Sequence, residues 1–210
     1  MSSKKLLFDN YHGGNDRRAV FLVPNDINII VGRNGHGKTS FMTALEDHVR
    51  KKKNCIVLSW NDNEYGRSNG MSKMAYAEDY EGVASMFGVS EGQRMWASIG
   101  RFFISRSGAI VRRKPPGAKY VYLLADQVDS GLDVHQINEL KKVFRELIIP
   151  DMNKLGLTVF VIMSANSFEM VVGEDCIDPV TRSHTFFDTL EEYIEYIDDQ
   201  YKWAEQEGDE

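Results

Sequence analysis

The chain has 210 residues, 42% hydrophobic and 27% charged, a balance that suits one folded domain with a real core and is too short for two large ones. Its two cysteines, Cys55 and Cys176, stand far apart, which excludes a disulfide framework or a cysteine metal site and predicts reduced core thiols. The net charge of −6 is uneven: residues 186–210 carry ten acidic side chains against Lys202 alone, so the rest of the chain is mildly basic, about +3, and an acidic total does not argue against a nucleic-acid partner.

Near the start, Leu6, Leu7 and Phe8 form an apolar run too short for a secretory signal, and the longest such run, residues 159–163, has the length of a strand and cannot cross a bilayer. A cytoplasmic protein with no membrane partner is expected. Residues 19–23 and 27–31 flank the turn signal Pro24-Asn25-Asp26 and read as paired strands. A helix is predicted from Lys38 to about Arg50, with Phe41, Met42, Leu45 and Val49 on one face, followed by a strand over residues 55–59. Residues 61–92 are polar and rich in Gly, Ser, Met and Asn, which predicts an irregular stretch with short helices. Met95, Trp96, Ile99, Phe102 and Phe103 mark a helix from Gln93 to about Ile104, and residues 112–119 form a basic loop around Pro115-Pro116-Gly117. A buried strand over 121–125, an amphipathic helix over 134–148 and a strand over 158–163 follow. Phe186 and Phe187 suggest a short strand ahead of a last helix through Leu190, Tyr193, Ile194, Ile197 and Tyr201. Strands alternating with helices predict one α/β domain over residues 1–210, with a mostly parallel sheet covered on both faces. Within it, residues 61–106 form a small helical region and residues 186–210 an acidic helix and tail. From about Gln200 onward the charge density and the terminal position predict a frayed helix end that is dispensable for ligand binding; the alternative is a tail that occupies a basic surface and regulates partner binding.

Gly32-Arg33-Asn34-Gly35-His36-Gly37-Lys38-Thr39 fits G-x-x-x-x-G-K-[ST], with a predicted strand before it and a helix after it. Glycines let consecutive backbone N–H groups turn inward as an anion nest, and a helix N-terminus adds favourable partial charge. Gly32, Asn34, Gly35, Gly37, Lys38, Thr39 and Ser40 are therefore the expected phosphate-binding set, with Lys38 on the β- and γ-phosphates and the Thr39 hydroxyl on Mg²⁺. The strand that ends in Asp126 supplies a second magnesium ligand in the Walker B manner. The bland alternative, a glycine turn ahead of an ordinary helix, does not account for the Lys-Thr pair.

Residues 126–133, Asp-Gln-Val-Asp-Ser-Gly-Leu-Asp, resemble the Walker B and D-loop run D-E-P-x-S-x-L-D of ABC (ATP-binding cassette) ATPases. Residues 89–93, Val-Ser-Glu-Gly-Gln, are similar to the family's L-S-G-G-Q signature, and Asn166 falls where the family has its switch histidine. The resemblance spans about residues 19–170. It implies an ATP- and Mg²⁺-binding ATPase whose homodimer closes around two nucleotides, with Ser90, Gly92 and Asp129 in the nucleotide-contacting set and Asp126, Gln127 and Asn166 in the catalytic set. Taken singly, Ser90-Glu91-Gly92 is also an ordinary N-cap and turn, and Asn166 also suits a turn cap. An upstream aromatic stacks adenine in the family; Tyr11 or Phe8 would serve, and both also suit a core. Asn61, Asp62 and Asn63 are candidates for the family's glutamine loop.

Gln127 departs from the family's catalytic glutamate. An amide can hold a water but cannot accept its proton, and loss of a general base costs about 10²–10⁴ in rate. Either the chain hydrolyses ATP weakly by nature, as an ATP-sensing dimer and binding platform would, or a glutamate has been exchanged to trap the ATP-bound state; the intact remainder of the motifs favours exchange. Gln93 comes only 55 positions after Lys38, much less than in transporter cassettes, and no long coiled coil fits between them. The resemblance is therefore to compact RecF-like and SMC-like heads, which implies a switch or motor in DNA maintenance or phage–host conflict with a DNA or protein effector. The basic residues at 50–53 and 112–114 suit that role or a plain solvated surface.

Overall fold

The computed structural model describes residues 3–9, 17–61 and 91–208. Strands β1 (Lys4–Asp9) and β2 (Arg17–Leu22) form an antiparallel ribbon. The main sheet holds β3 (Ile27–Val31), β4 (Cys55–Asn61), β5 (Tyr120–Asp126), β6 (Thr158–Ala165), β7 (Cys176–Ile177) and β8 (His184–Thr185) in the order β4-β5-β6-β3-β7-β8. All its pairings are parallel except the last, β7 with β8. Among the described residues the α-helices are α1 (Lys38–Arg50), α2 (Glu91–Arg112), α3 (Val134–Lys142), α4 (Ile149–Lys154), α5 (Phe168–Val171) and α6 (Leu190–Gly208). The registers bring Asn61 level with Asp126, Ala125 with Met163, and Val31 with Ala165. The chain therefore leaves β3, β5 and β6 at one carboxyl edge, where ligand sites of open parallel sheets form.

Period-two alternation decides the layers. Ile29, Val31, Leu123, Val161 and Met163 point to one face, where Met95, Ile99 and Phe103 of α2 and Phe144 cover them. Ile30, Tyr122, Leu124, Phe160 and Ile162 point to the other, under Phe41, Leu45 and Val49 of α1 and Leu6, Phe8, Val20 and Leu22 of the ribbon. Each face thus has its own apolar core, as a buried parallel sheet requires. Both cysteines are free thiols; Cys176 is buried, which pushes its pKa up to about 12, whereas Cys55 is only half-buried.

Four expectations need correction. The strands around Pro24 do not pair with each other: β2 pairs with β1, and β3 lies in the main sheet. Asn25, at φ 58°, donates its N–H to Val159 O (2.6 Å) and accepts Val159 N–H on Oδ1 (3.0 Å), so the turn is pinned to β6 and carries the chain from one sheet to the other. Helix α2 continues past Ile104 to Arg112, because its apolar face extends to the buried Ile110. The helix expected over 134–148 continues to Lys154 through a π-helical stretch, Val143–Ile148. Pro150 has no N–H for the i−4 carbonyl, and just before it Ile149 N–H reaches back five residues to Phe144 O, the wider turn that accommodates the proline. Phe186 and Phe187 form no strand; Phe187 is buried against Tyr193 and Tyr196, with ring centroids 5.4 and 5.2 Å away.

The polar exception in β3 is Asn28, fully buried. Its Oδ1 accepts Val23 N–H (2.7 Å) and its Nδ2 donates to Val23 O (3.1 Å) and Val161 O (3.2 Å), joining the turn to β6. Asn28→Ala is expected to lower the unfolding free energy by about 2–3 kcal/mol, since it strands buried backbone groups. Urea unfolding should show an earlier midpoint at unchanged slope; an unmoved midpoint would contradict this role.

Candidate functional site

The loop after β3 turns into α1 through Gly35 and Gly37, both left-handed at φ 82° and 89°. That conformation suits glycine and allows the intervening amides to face inward. Gly37 occupies the N-cap without any side-chain cap, and the first turn of α1 has no acidic residue. Its unpaired N–H groups are thus left for an anion from outside. Lys38 is buried under the loop, where Nζ donates to Gly32 O (2.5 Å) and Arg33 O (3.0 Å). Burial lowers its pKa, and the nearby Asp129 and Asp126 carboxylates oppose this without reversing it. A cation in that position gains from an arriving anion.

Opposite the loop, the end of β5 brings Asp126 to Thr39, whose Oγ1 donates to Oδ2 at 2.8 Å. The second carboxylate oxygen accepts the Ser164 hydroxyl of β6, and Ser164 Oγ in turn accepts Gln127 N–H (2.8 Å). Gln127 has a positive φ of 56°, a conformation uncommon for a side-chain-bearing residue and concentrated at functional sites. It lines a cleft of about 180 Å³ together with Asn34, Gly35, Gly37, Lys38, Thr39, Ser40 and Asn166. Two separate stretches of sequence, after β5 and after β6, thus meet the phosphate-loop motif in one cleft.

Asp129, nearly buried, holds the Asn166 segment in place: its Oδ2 accepts N–H of Asn166 (2.7 Å) and of Ser167 (2.6 Å). Tyr193 of α6 donates its hydroxyl to Asn166 O (2.7 Å), and burial pushes that phenol up to about 12. Asp129 therefore acts on the cleft through the Asn166 backbone and is not among its lining residues. Asp133 caps α3 in a reciprocal box with Gln136. Gly92 packs against the 127–133 loop: a Cβ there would lie 2.1 Å from Gly131 O, so within one chain its glycine is already required by close approach.

Tyr11, Ser90, Asp62 and Asn63 lie outside the described residues. Phe8, the alternative to Tyr11 for base stacking, is a core residue, edge-on to Phe41 at 5.4 Å, and is not available to a ligand. Of the basic stretches, Arg50 pairs with Glu46 and Lys114 donates to Leu155 O. Sequence reasoning missed Ser164 and Tyr193, and it misjudged Gln200. Ser164 had a signal, a hydroxyl in the otherwise apolar run 159–165; Tyr193 read as one more apolar position of the last helix. Gln200 is no part of a frayed end: it is buried, and its Oε1 accepts the Arg33 N–H (2.8 Å).

No family model matches the sequence, and no curated protein matches it. Among solved structures the chain is similar to an inward-facing metal-chelate type ABC transporter, at 14% identity and TM-score 0.44 over 89% of this chain and 84% of that one. It is also similar to a nucleotide-free ATP-binding cassette from an ABC transporter, at 11% identity and TM-score 0.44 over 92% and 95%. Likenesses of this strength decide nothing about activity.

Asp129→Ala leaves two backbone donors without their charged acceptor and is expected to cost about 2–4 kcal/mol in unfolding free energy. Asp129→Asn, which keeps an acceptor oxygen, is expected to cost less than half as much. Equal losses in the two variants, read by chemical denaturation, would contradict the acceptor role.

Proposed function

We propose that this chain is an ABC-type ATPase that binds Mg²⁺-ATP in the cleft between the phosphate-loop motif and the ends of β5 and β6. The observation that carries the reading is the convergence of Lys38, Thr39, Gln127 and Asn166 on that cleft, with Asp126 hydrogen-bonded to Thr39. A volume of about 180 Å³ is below the roughly 300–1,000 Å³ that encloses a whole ligand. The cleft therefore suits the phosphates, with the base outside it, and Tyr11 is the proposed stacking residue.

The donor set fits magnesium. Thr39 Oγ1 and Asp126 Oδ2 are hard oxygens 2.8 Å apart, and Mg²⁺ is commonly held by one or two protein oxygens together with phosphates and waters. When bound there, the ion neutralises phosphate charge. The chain's own groups do the rest. The amides of the loop and first turn of α1 bind phosphate oxygens, Lys38 adds a charged donor, and Gln127 and Asn166 hold the γ-phosphate end and an attacking water. Asp129 fixes Asn166 from behind.

The compact form, with Gln93 only 55 positions after Lys38, supports a RecF-like or SMC-like head over a transporter cassette. The proposed working unit is a homodimer in which Ser90 and Gly92 of one subunit cover the nucleotide of the other. It serves as a switch or motor for a DNA or protein effector, in DNA maintenance or phage–host conflict. Gln127 favours one further reading, an ATP-sensing dimer that serves as a platform without turnover.

Gln127→Glu separates the two. The side chains are nearly isosteric, so the backbone at φ 56° and the affinity for ATP should change little. The carboxylate supplies a proton acceptor, and steady-state phosphate release is expected to rise at least tenfold, toward the range of about 10²–10⁴ for a general base. No rise, with ATP still bound, would replace the hydrolase reading with the sensor.

A further inference from the structure

We propose that the C-terminal helix α6 is a working part of the phosphate site, with Gln200 as the positioning residue that holds the loop in its anion-binding shape. The proposal deepens the nucleotide reading and rests on it. Gln200 is buried on the inner face of α6 and uses both ends of its amide. Oε1 accepts the Arg33 N–H at 2.8 Å, and Nε2 donates to Asp178 Oδ2 at 3.1 Å. The same Asp178 oxygen accepts the Tyr196 hydroxyl at 2.7 Å and lies 3.2 Å from His36 Nε2. The phosphate loop is therefore gripped at Arg33 and at His36, on either side of Asn34 and Gly35, which line the cleft. The grip is close: a Cβ on Gly32 would sit 2.8 Å from His36 Cδ2 and 3.3 Å from Gln200 Oε1.

The anchor of this network is itself fixed. Asp178 Oδ1 accepts the N–H groups of Val180 and Thr181, both at 2.8 Å. Burial acts to raise its carboxyl, but the bonds from His36, Thr181, Tyr196 and Val180 outweigh burial and hold it well below the usual carboxylate range. Asp178 thus stays a charged acceptor at neutral pH. One turn-pair earlier on α6, Tyr193 fixes Asn166 O. A single helix therefore touches both the loop that would bind the phosphates and the segment that faces it.

A glycine-rich loop loses much backbone freedom when it closes on a ligand, and a loop already held in shape loses less. Gln200→Ala and Gln200→Met remove both amide bonds, and the methionine keeps the bulk. Two measurements on the full chain test the role: affinity for Mg²⁺-ATP by calorimetry, and amide hydrogen exchange without nucleotide. Both variants are expected to bind Mg²⁺-ATP about tenfold more weakly or worse. Arg33 N–H should exchange faster while Ile29 and Ile30 of β3 keep their protection. Unchanged exchange at Arg33, a rise shared with Ile29 and Ile30, or faster local exchange with affinity intact would each overturn the proposal. Failure of the unaltered chain to bind Mg²⁺-ATP would instead overturn the nucleotide reading, and the exchange data would still decide whether Gln200 holds the loop.

Discussion

Asp126 is the acceptor around which the site closes. One of its oxygens takes the Thr39 hydroxyl from the first turn of α1, and the other takes the Ser164 hydroxyl from the end of β6. These contacts are possible because β3, β5 and β6 run parallel and in register, so that their carboxyl ends reach the same edge. Gln127 follows Asp126 directly, and its N–H is held by Ser164, which aims the residue at the cleft. Remove the parallel register, and the phosphate-loop motif would face nothing.

Behind these lining groups stands a set of supports. Asp129 ties Asn166 and Ser167 by their amides, Tyr193 takes the Asn166 carbonyl, and Asp178 collects His36, Tyr196 and Gln200. Buried polar groups of this kind are costly unless paired, and pairing them fixes loops that glycine would otherwise leave free. The arrangement gives a physical reason why a glycine-rich loop is held in one shape.

The local parts of this structure were legible from the sequence because they rest on short-range patterns. The α1 face of Phe41, Met42, Leu45 and Val49 is buried as its spacing requires, and the strand ending in Asp126 follows from an apolar run closed by an acid. What could not be read depends on contacts distant in sequence. Asn25 pairs with Val159, which turned an apparent hairpin into a crossing between sheets. Gln200 contacts Arg33 across most of the chain, and nothing in an acidic C-terminal segment distinguishes a buried glutamine from a solvated one. Phe8 looked equally suited to stacking or to core until the ribbon placed it over Phe41. The helix expected over 134–148 runs on to Lys154 past Pro150, because a π-helical stretch accommodates the proline.

The account depends on Lys38 as the charged donor of a phosphate-binding loop, and calorimetric titration of Mg²⁺-ATP into the unaltered chain and into Lys38→Ala tests this most directly. The account predicts saturable binding to the unaltered chain and a loss of at least about tenfold in the variant, the worth of one charge-assisted hydrogen bond. Equal affinity in the two proteins would contradict it.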